Sequence, residues 1–425
     1  MIILIYKILS QFSNIFKNGT FKYFMAFIIR FIRVQGKATI TQIYLSSGLT
    51  CSLSNCHRFL SKYKWDLESL QKYFFLFLYR VLKLLLGENM KCALVGDDVK
   101  VKKTGKKQAN VHPHFDHAAK AGGEKYINGH CWVTLGIVMR TANRILLFPL
   151  LAVLYIREKY CGADKKFKNK LTLWVELVKK ISNWTKEKWI VLVDSFYSKK
   201  EYVEKLISDG HTVISRLRWD IACFEPPNGA NTKKRGRPKK YGDRIDFWSL
   251  SSVAEELKVF IYGKDVMVKV NTGIGILRGW KIQIRWVCVW CDDKYVLLFS
   301  TDLSMSTSEI IEWYASRWKI ELSYRDEKQN MGLGDYQIRS EIGINRYVNL
   351  NLIATSVLTL VGLIIENKKI FKVPQYSWYH PKYFTIGLLK SFVIREFENR
   401  GIILTLLDSS KNLKIPNKLR KSGVL

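Results

Sequence analysis

Tyr314, Arg317, Glu321 and Lys328 are spaced Y-x2-R-x3-E-x6-K. At 3.6 residues per helical turn, offsets of three, four and seven return to nearly the same azimuth. The spacing therefore predicts one face carrying a carboxylate flanked by two cations and a phenol. An exposed stripe with an ordinary i,i+4 ion pair would look the same and contribute only about 0.3 kcal/mol. The chemical reading is that a divalent metal beside a phosphodiester needs a carboxylate for the ion and fixed cations for the phosphate. The surrounding stretch, 304–334, reads as a helix. Ser306 with Glu309 three residues on makes a capping box, and Gly332 and Gly334 lie where a helix should stop.

A single carboxylate does not hold a metal pair, so further acids must be delivered from elsewhere. The apolar run 91–96 reads as a buried strand ending at Asp97 and Asp98, either of which could be the ligand. The runs 126–140 and 144–156 read as a hairpin. A long helical stretch, 164–188, precedes a second buried strand, 189–195, which carries Asp194 at its end. Another helix and strand follow. The order is three strands, helix, strand, helix, strand and then the helix with Glu321, as in an RNase H-like domain. In that arrangement the first and fourth strands are neighbours, so Asp97 and Asp194 emerge together.

At these residues the chain resembles the DDE transposases of bacterial insertion sequences, in the group with the Tyr-Arg-Glu-Lys signature. All four signature positions match at the family's spacing, and the likeness runs from about residue 91 to 328, including HFDHA and GHCWV. The resemblance implies an RNase H-like fold with Asp97, Asp194 and Glu321 as the catalytic carboxylates. It implies two Mg²⁺ ions, with Mn²⁺ as a substitute, and DNA cleavage followed by strand transfer. Tyr314, Arg317 and Lys328 would then position the phosphate backbone.

Composition agrees with a polyanionic partner. The 425 residues contain 69 Lys and Arg against 36 Asp and Glu, a net charge of +33, and 48% hydrophobic residues supply material for real cores. The expected partners are double-stranded DNA, as terminal inverted repeats and target, and a second copy of the chain to pair two ends. The eight scattered cysteines, with one C-x-x-C at Cys288 and Cys291, read as reduced thiols. The opening 1–16 is cut by Lys7 and makes a poor signal peptide. The segment 347–365 is long enough to span a bilayer, yet Asn349, Asn351, Thr355, Ser356 and Thr359 point to a buried helix and not to a membrane. The expected location is cytoplasmic, at the bacterial nucleoid.

The remaining regions divide accordingly. Residues 1–90 read as a helical DNA-binding region with helix-turn-helix grammar between 37 and 65, presenting Asn55, His57, Arg58, Lys62 and Lys64. Residues 91–220 form the first part of the catalytic core, in which Lys100, Lys102, Lys103, Lys106 and Lys107 follow Asp98 and would grip DNA. Residues 221–303 read as a β-rich insertion, with strands at IDFWSL, LKVFIYG, DVMVKV and WKIQIRWVCVW. Its NTKKRGRPKKYG segment resembles an AT-hook centred on Arg235 and Arg237. By the same resemblance the insertion supports a DNA hairpin intermediate, with Trp248, Trp286 or Trp290 as the aromatic for a flipped base; core packing is the alternative for each. Residues 304–343 complete the core and 344–425 form a helical region. Two competing functions share these features. One is a DNA-binding protein with an inactive nuclease fold; the other is a zinc hydrolase built on His112, His114, Asp116 and His117 of HPHFDH.

Overall fold

The computed structural model describes residues 1–17, 19–88, 90–105, 107–116, 123–141, 144–162, 166–227, 239–291, 294–375 and 377–400. Arg235, Arg237, Lys106 and His117 lie outside them.

Five helices open the chain: α1 (Ile2–Ser10), α2 (Phe21–Arg33), α3 (Ile40–Leu45), α4 (Leu53–Ser61) and α5 (Leu67–Leu86). The catalytic region follows as β1 (Lys91–Lys102), β2 (His112–Phe115), β3 (Tyr126–Arg140), β4 (Ile145–Tyr155), α6 (Lys170–Thr185), β5 (Ile190–Val193), α7 (Lys200–Ser208) and β6 (Thr212–Arg216). Next come β7 (Cys223–Phe224), β8 (Glu255–Ile261), β9 (Lys264–Leu277), β10 (Gln283–Cys291) and β11 (Lys294–Ser300). The last helices are α8 (Thr307–Ser316), α9 (Lys319–Asp326), α10 (Glu341–Asn367) and α11 (Ile386–Arg400).

One mixed sheet organises the molecule. The β3–β4 hairpin is antiparallel, β3 pairs antiparallel with β1, and β1 and β6 pair parallel with β5 on either side. The order β4-β3-β1-β5-β6 is that of an RNase H-like sheet, as expected. The strands before Glu321 do not form a separate module: β11 pairs antiparallel with β6, and β10 and β9 continue outward from it. The stretch expected as a strand at IDFWSL instead enters a short 3-10 turn at Ser249–Val253, while LKVFIYG, DVMVKV and WKIQIRWVCVW lie in β8, β9 and β10.

Alternation along the strands divides the core in two. Leu94, Val191 and Val193 face α5, α6 and α10, whereas Ala93, Val95, Leu192 and Ile214 face α8 and α9. α10 is fully buried along its apolar window and packs on β4, α2, α4 and α5. Its polar residues each have a partner. Asn349 receives the Ala152 N–H at 2.9 Å and returns a hydrogen bond to the Ala152 carbonyl at 3.0 Å, so that its amide continues the edge of β4. Gln71 of α5 donates to the same Asn349 at 2.7 Å, Ser356 donates to the Pro149 carbonyl at 2.6 Å, and Asn351 donates to the Met331 carbonyl at 2.6 Å. These bonds offset most of the cost of burying polar side chains in a core, with Asn351 Oδ1 left without a partner.

α3 and α4 form the expected helix pair, with the Thr39 side chain capping α3. His57, Arg58, Lys62 and Lys64 are exposed, whereas Asn55 is half-buried and accepts from the Tyr63 hydroxyl at 3.1 Å. Arg346 of α10 donates to the carbonyls of Phe59, Leu60, Tyr63 and Trp65, filling the acceptors that the end of α4 leaves open.

Candidate active site

The three acids arrive on three different elements. Val95 of β1 pairs with Leu192 of β5, and each chain carries its aspartate two residues further on, so Asp97 and Asp194 emerge on the same face of the sheet. β1 does not end at Asp97 and Asp98 as expected. It continues to Lys102 paired with β3 alone, because β5 has already turned away after Val193. Asp97 and Asp98 therefore sit in a strand with one edge open. Gly96 is required by packing, since a Cβ there would lie 1.7 Å from the Trp174 indole nitrogen.

The predicted long helix is broken. α8 ends at Ser316, α9 starts at Lys319, and a π turn occupies Glu327–Met331 before Gly332 stops it with φ +74°. Ser306 caps α8 as expected, accepting the Glu309 N–H at 3.3 Å, while Glu309 Oε2 accepts from the Ser306 hydroxyl at 3.1 Å and not from its backbone N–H as a full capping box would have it. At the break, Arg317 points back over the sheet. Its guanidinium donates to Asp97 Oδ2 at 3.3 Å and to Glu321 Oε1 at 2.9 Å. It lies 5.8 Å from the Tyr314 ring centroid, and both Arg317 and Tyr314 feel the charge of Asp194. Asp97, Asp194, Glu321, Arg317 and Tyr314 are thus brought into one site. Lys328 is exposed on the π turn, within electrostatic reach of Lys100 and Asp116.

Asp97 is pushed up to about 7, chiefly by burial, with the charges of Asp98 and Asp194 adding to it and its bond from the Asp98 N–H and Arg317 opposing. Such crowding of negative charge is relieved by a bound cation, and three carboxylates are the hard-oxygen donors that Mg²⁺ or Mn²⁺ prefers. The residues fit a divalent ion in chemistry. Among the described residues no compact group of three or more His, Cys, Asp or Glu is already drawn together, and the Arg317 guanidinium lies between Asp97 and Glu321.

Asp98 points to the opposite face. Its carboxylate accepts from Lys170 at 2.8 Å, from the Tyr197 hydroxyl at 3.2 Å and from the Cys131 thiol at 3.3 Å. Burial alone would raise it, but Lys170 and the other donors hold it below the usual carboxylate range. Lys170 and Tyr197 were not picked out in the sequence. A lysine opening a helix is electrostatically misplaced against the helix dipole, and that was the available signal.

Lys103 is a correction. Expected to grip DNA, it is 6% exposed, donates to the Gly334 and Tyr336 carbonyls at 2.6 and 2.7 Å, and lies 3.3 Å from the Tyr336 ring centroid. Lys102, its neighbour on the opposite face, is exposed, as is Lys107. The first four residues of HPHFDH form β2, where His112 and His114 are buried with ring centroids 4.2 Å apart and His112 stacks on Tyr160. Burial first, and then the neighbouring His112, Lys170, Lys100 and Arg157, push His114 down to about 3. Of the tryptophans, Trp286 is 6% exposed and packed against Phe247 and Gly273. Trp290 donates to Asn271 at 2.7 Å. Trp248 is 59% exposed and lines a cleft of ≈ 800 Å³ with Arg216, Trp219, Arg244 and Lys294.

With this geometry in hand, comparison with known proteins places the chain. The family model described as DDE superfamily endonuclease matches residues 12–259, more than half of the chain, and the Transposase DDE domain model matches residues 162–357. The chain belongs to the DDE superfamily endonucleases, nuclease-type enzymes that act on DNA with divalent metal ions. No curated protein matches it. Among solved structures, the NurA nuclease from Sulfolobus solfataricus aligns over 74% of this chain and 97% of that chain, at 10% identity and a TM-score of 0.23, a likeness too slight to bear on fold or function.

Proposed function

We propose that this endonuclease is a transposase of the Tyr-Arg-Glu-Lys group, which cuts DNA at the ends of its own element and joins the freed 3′-hydroxyls to a target. The observation that carries the reading is the meeting of Asp97, Asp194 and Glu321 around Arg317, from three elements far apart in the chain. A divalent pair bound there would activate the attacking water or hydroxyl and neutralise the leaving oxygen in line with it. Asp97, Asp194 and Glu321 would hold the ions. Arg317, held by Tyr314 on one side and the carboxylates on the other, orients the scissile phosphate, and Lys328, Lys100 and Lys102 take the flanking backbone. The exposed Trp248, and not the buried Trp286, is the aromatic suited to an unpaired base.

Two copies of the chain pair two DNA ends, in the cytoplasm at the nucleoid. The exposed side of α4 reads the terminal repeat, and the region carrying Arg235 and Arg237 follows the minor groove. The test is to incubate the purified protein with Mg²⁺, its own flanking DNA and a target plasmid. Target molecules covalently joined to the element's 3′ end are expected; cleavage without any joined product would leave an endonuclease and remove the transposase reading.

A further inference from the structure

Lys170 is the first residue of α6, where a positive charge opposes the helix dipole. Its position is nevertheless fixed on both sides. Asn169 caps α6 by accepting the Thr172 N–H at 2.8 Å, and the Asn169 amide donates to the Tyr202 hydroxyl of α7 at 2.7 Å. The amine is thereby presented to Asp98 Oδ2 at 2.8 Å, with the rings of Tyr155 and Phe196 5.6 and 5.8 Å away. Tyr197 and Cys131 complete the grip on the same carboxylate. The Asp98 backbone N–H in turn donates to Asp97 Oδ1 at 2.8 Å. A chain of hydrogen bonds thus runs from α6, through the side chain and then the peptide of Asp98, to Asp97 on the other face of the sheet.

Resting on the transposase reading of the site, we propose that Lys170 is a positioning residue: by clamping Asp98 on the α6 face it excludes that carboxylate from the metal and fixes the peptide that orients Asp97 for metal binding. Outer partners of metal-binding carboxylates commonly act this way, and losing one weakens metal affinity about 10- to 100-fold. A purely through-space effect has the opposite sign, since removing a cation from beside the site would tighten metal binding.

The experiment is a Mn²⁺ titration of the full-length protein, followed by electron paramagnetic resonance and compared across variants. Lys170→Met is expected to raise the Mn²⁺ dissociation constant about tenfold, and Lys170→Arg, which keeps a cation on Asp98, to stay within about threefold of wild type. The double variant Lys170→Met with Asp98→Asn removes both charges of the buried pair, so it breaks the same link without burying an unpaired charge and without changing the net charge beside the site. It is expected to match Lys170→Met, and it serves alone if Lys170→Met does not fold. A merely structural role would lower thermal stability and leave the dissociation constant unchanged, and that result, or tighter binding, overturns the proposal. If Asp97→Asn abolishes Mn²⁺ binding while the Lys170 and Asp98 variants do not alter it, only this inference fails. If the wild type binds no Mn²⁺, the reading of the site fails with it.

Discussion

Asp97 and Asp194 stand at equal distances beyond a shared register pair, Val95 with Leu192, so the last paired rung of β1 and β5 sets the separation of two candidate ligands. Gly96 sits between that rung and Asp97, against the Trp174 indole. Gly96→Ala is expected to cost about 1–3 kcal/mol by overpacking. It should also cut cleavage on the order of 10²-fold by displacing Asp97, as small misplacements do at reacting centres. Urea unfolding and single-turnover cleavage measure the two effects. Unchanged cleavage would show that this rung does not govern the site.

Lys102 and Lys103 are neighbours with opposite fates. Lys102→Ala is expected to leave stability untouched and to reduce the salt slope of DNA binding by about one. Lys103→Ala takes the partner from the Gly334 carbonyl, leaves the Tyr336 carbonyl with the Gln108 amide alone at 3.1 Å, and removes the cation over the Tyr336 ring. It should cost about 2–3 kcal/mol in urea unfolding without changing the salt slope.

Arg346 joins α10 to the end of α4 and the turn after it through four carbonyls. Arg346→Ala is expected to cost about 2–4 kcal/mol. Limited proteolysis should then cut first between α3 and α5, and a wild-type digestion pattern would contradict this docking role.

Glu327 is fully buried in the π turn, accepts only from Ser323 at 2.6 Å through one oxygen, and is pushed up to about 8 by burial. The folded protein therefore keeps a proton that the unfolded chain releases above the ordinary glutamate range. Its contribution to stability is complete below about pH 4.5 and is lost as pH rises towards 8, at up to about 1.4 kcal/mol per pH unit. In thermal melts from pH 5 to 9, Glu327→Gln should remove that decline. Parallel wild-type and variant curves would contradict the assignment.

The sequence revealed what local pattern can encode. The apolar runs ending near Asp97 and Asp194 announced the strands, and the order of elements implied their adjacency. The Asn and Ser residues along 347–365 indicated a core helix, which α10 is. Pairing, however, is a long-range property. Nothing local said that β1 would run on along β3 after β5 had left it, or that β11 would join β6 and make the insertion part of the catalytic sheet. The break at Arg317 and Trp318 was hidden because the capping box and the stop glycines are the same for one helix or two. Lys103 was misread for a similar reason: adjacent strand residues alternate faces, and only the position of Tyr336 decides which lysine is covered.

The central claim is that Asp97, Asp194 and Glu321 act together. Its most direct test is single-turnover, Mg²⁺-dependent cleavage of the element's own end by wild type and by Asp97→Asn, Asp194→Asn and Glu321→Gln, each first shown to be folded and to bind that DNA. Each variant is expected to lose cleavage on the order of 10⁴-fold while keeping DNA affinity. Near-wild-type cleavage by any one of the three would contradict the account.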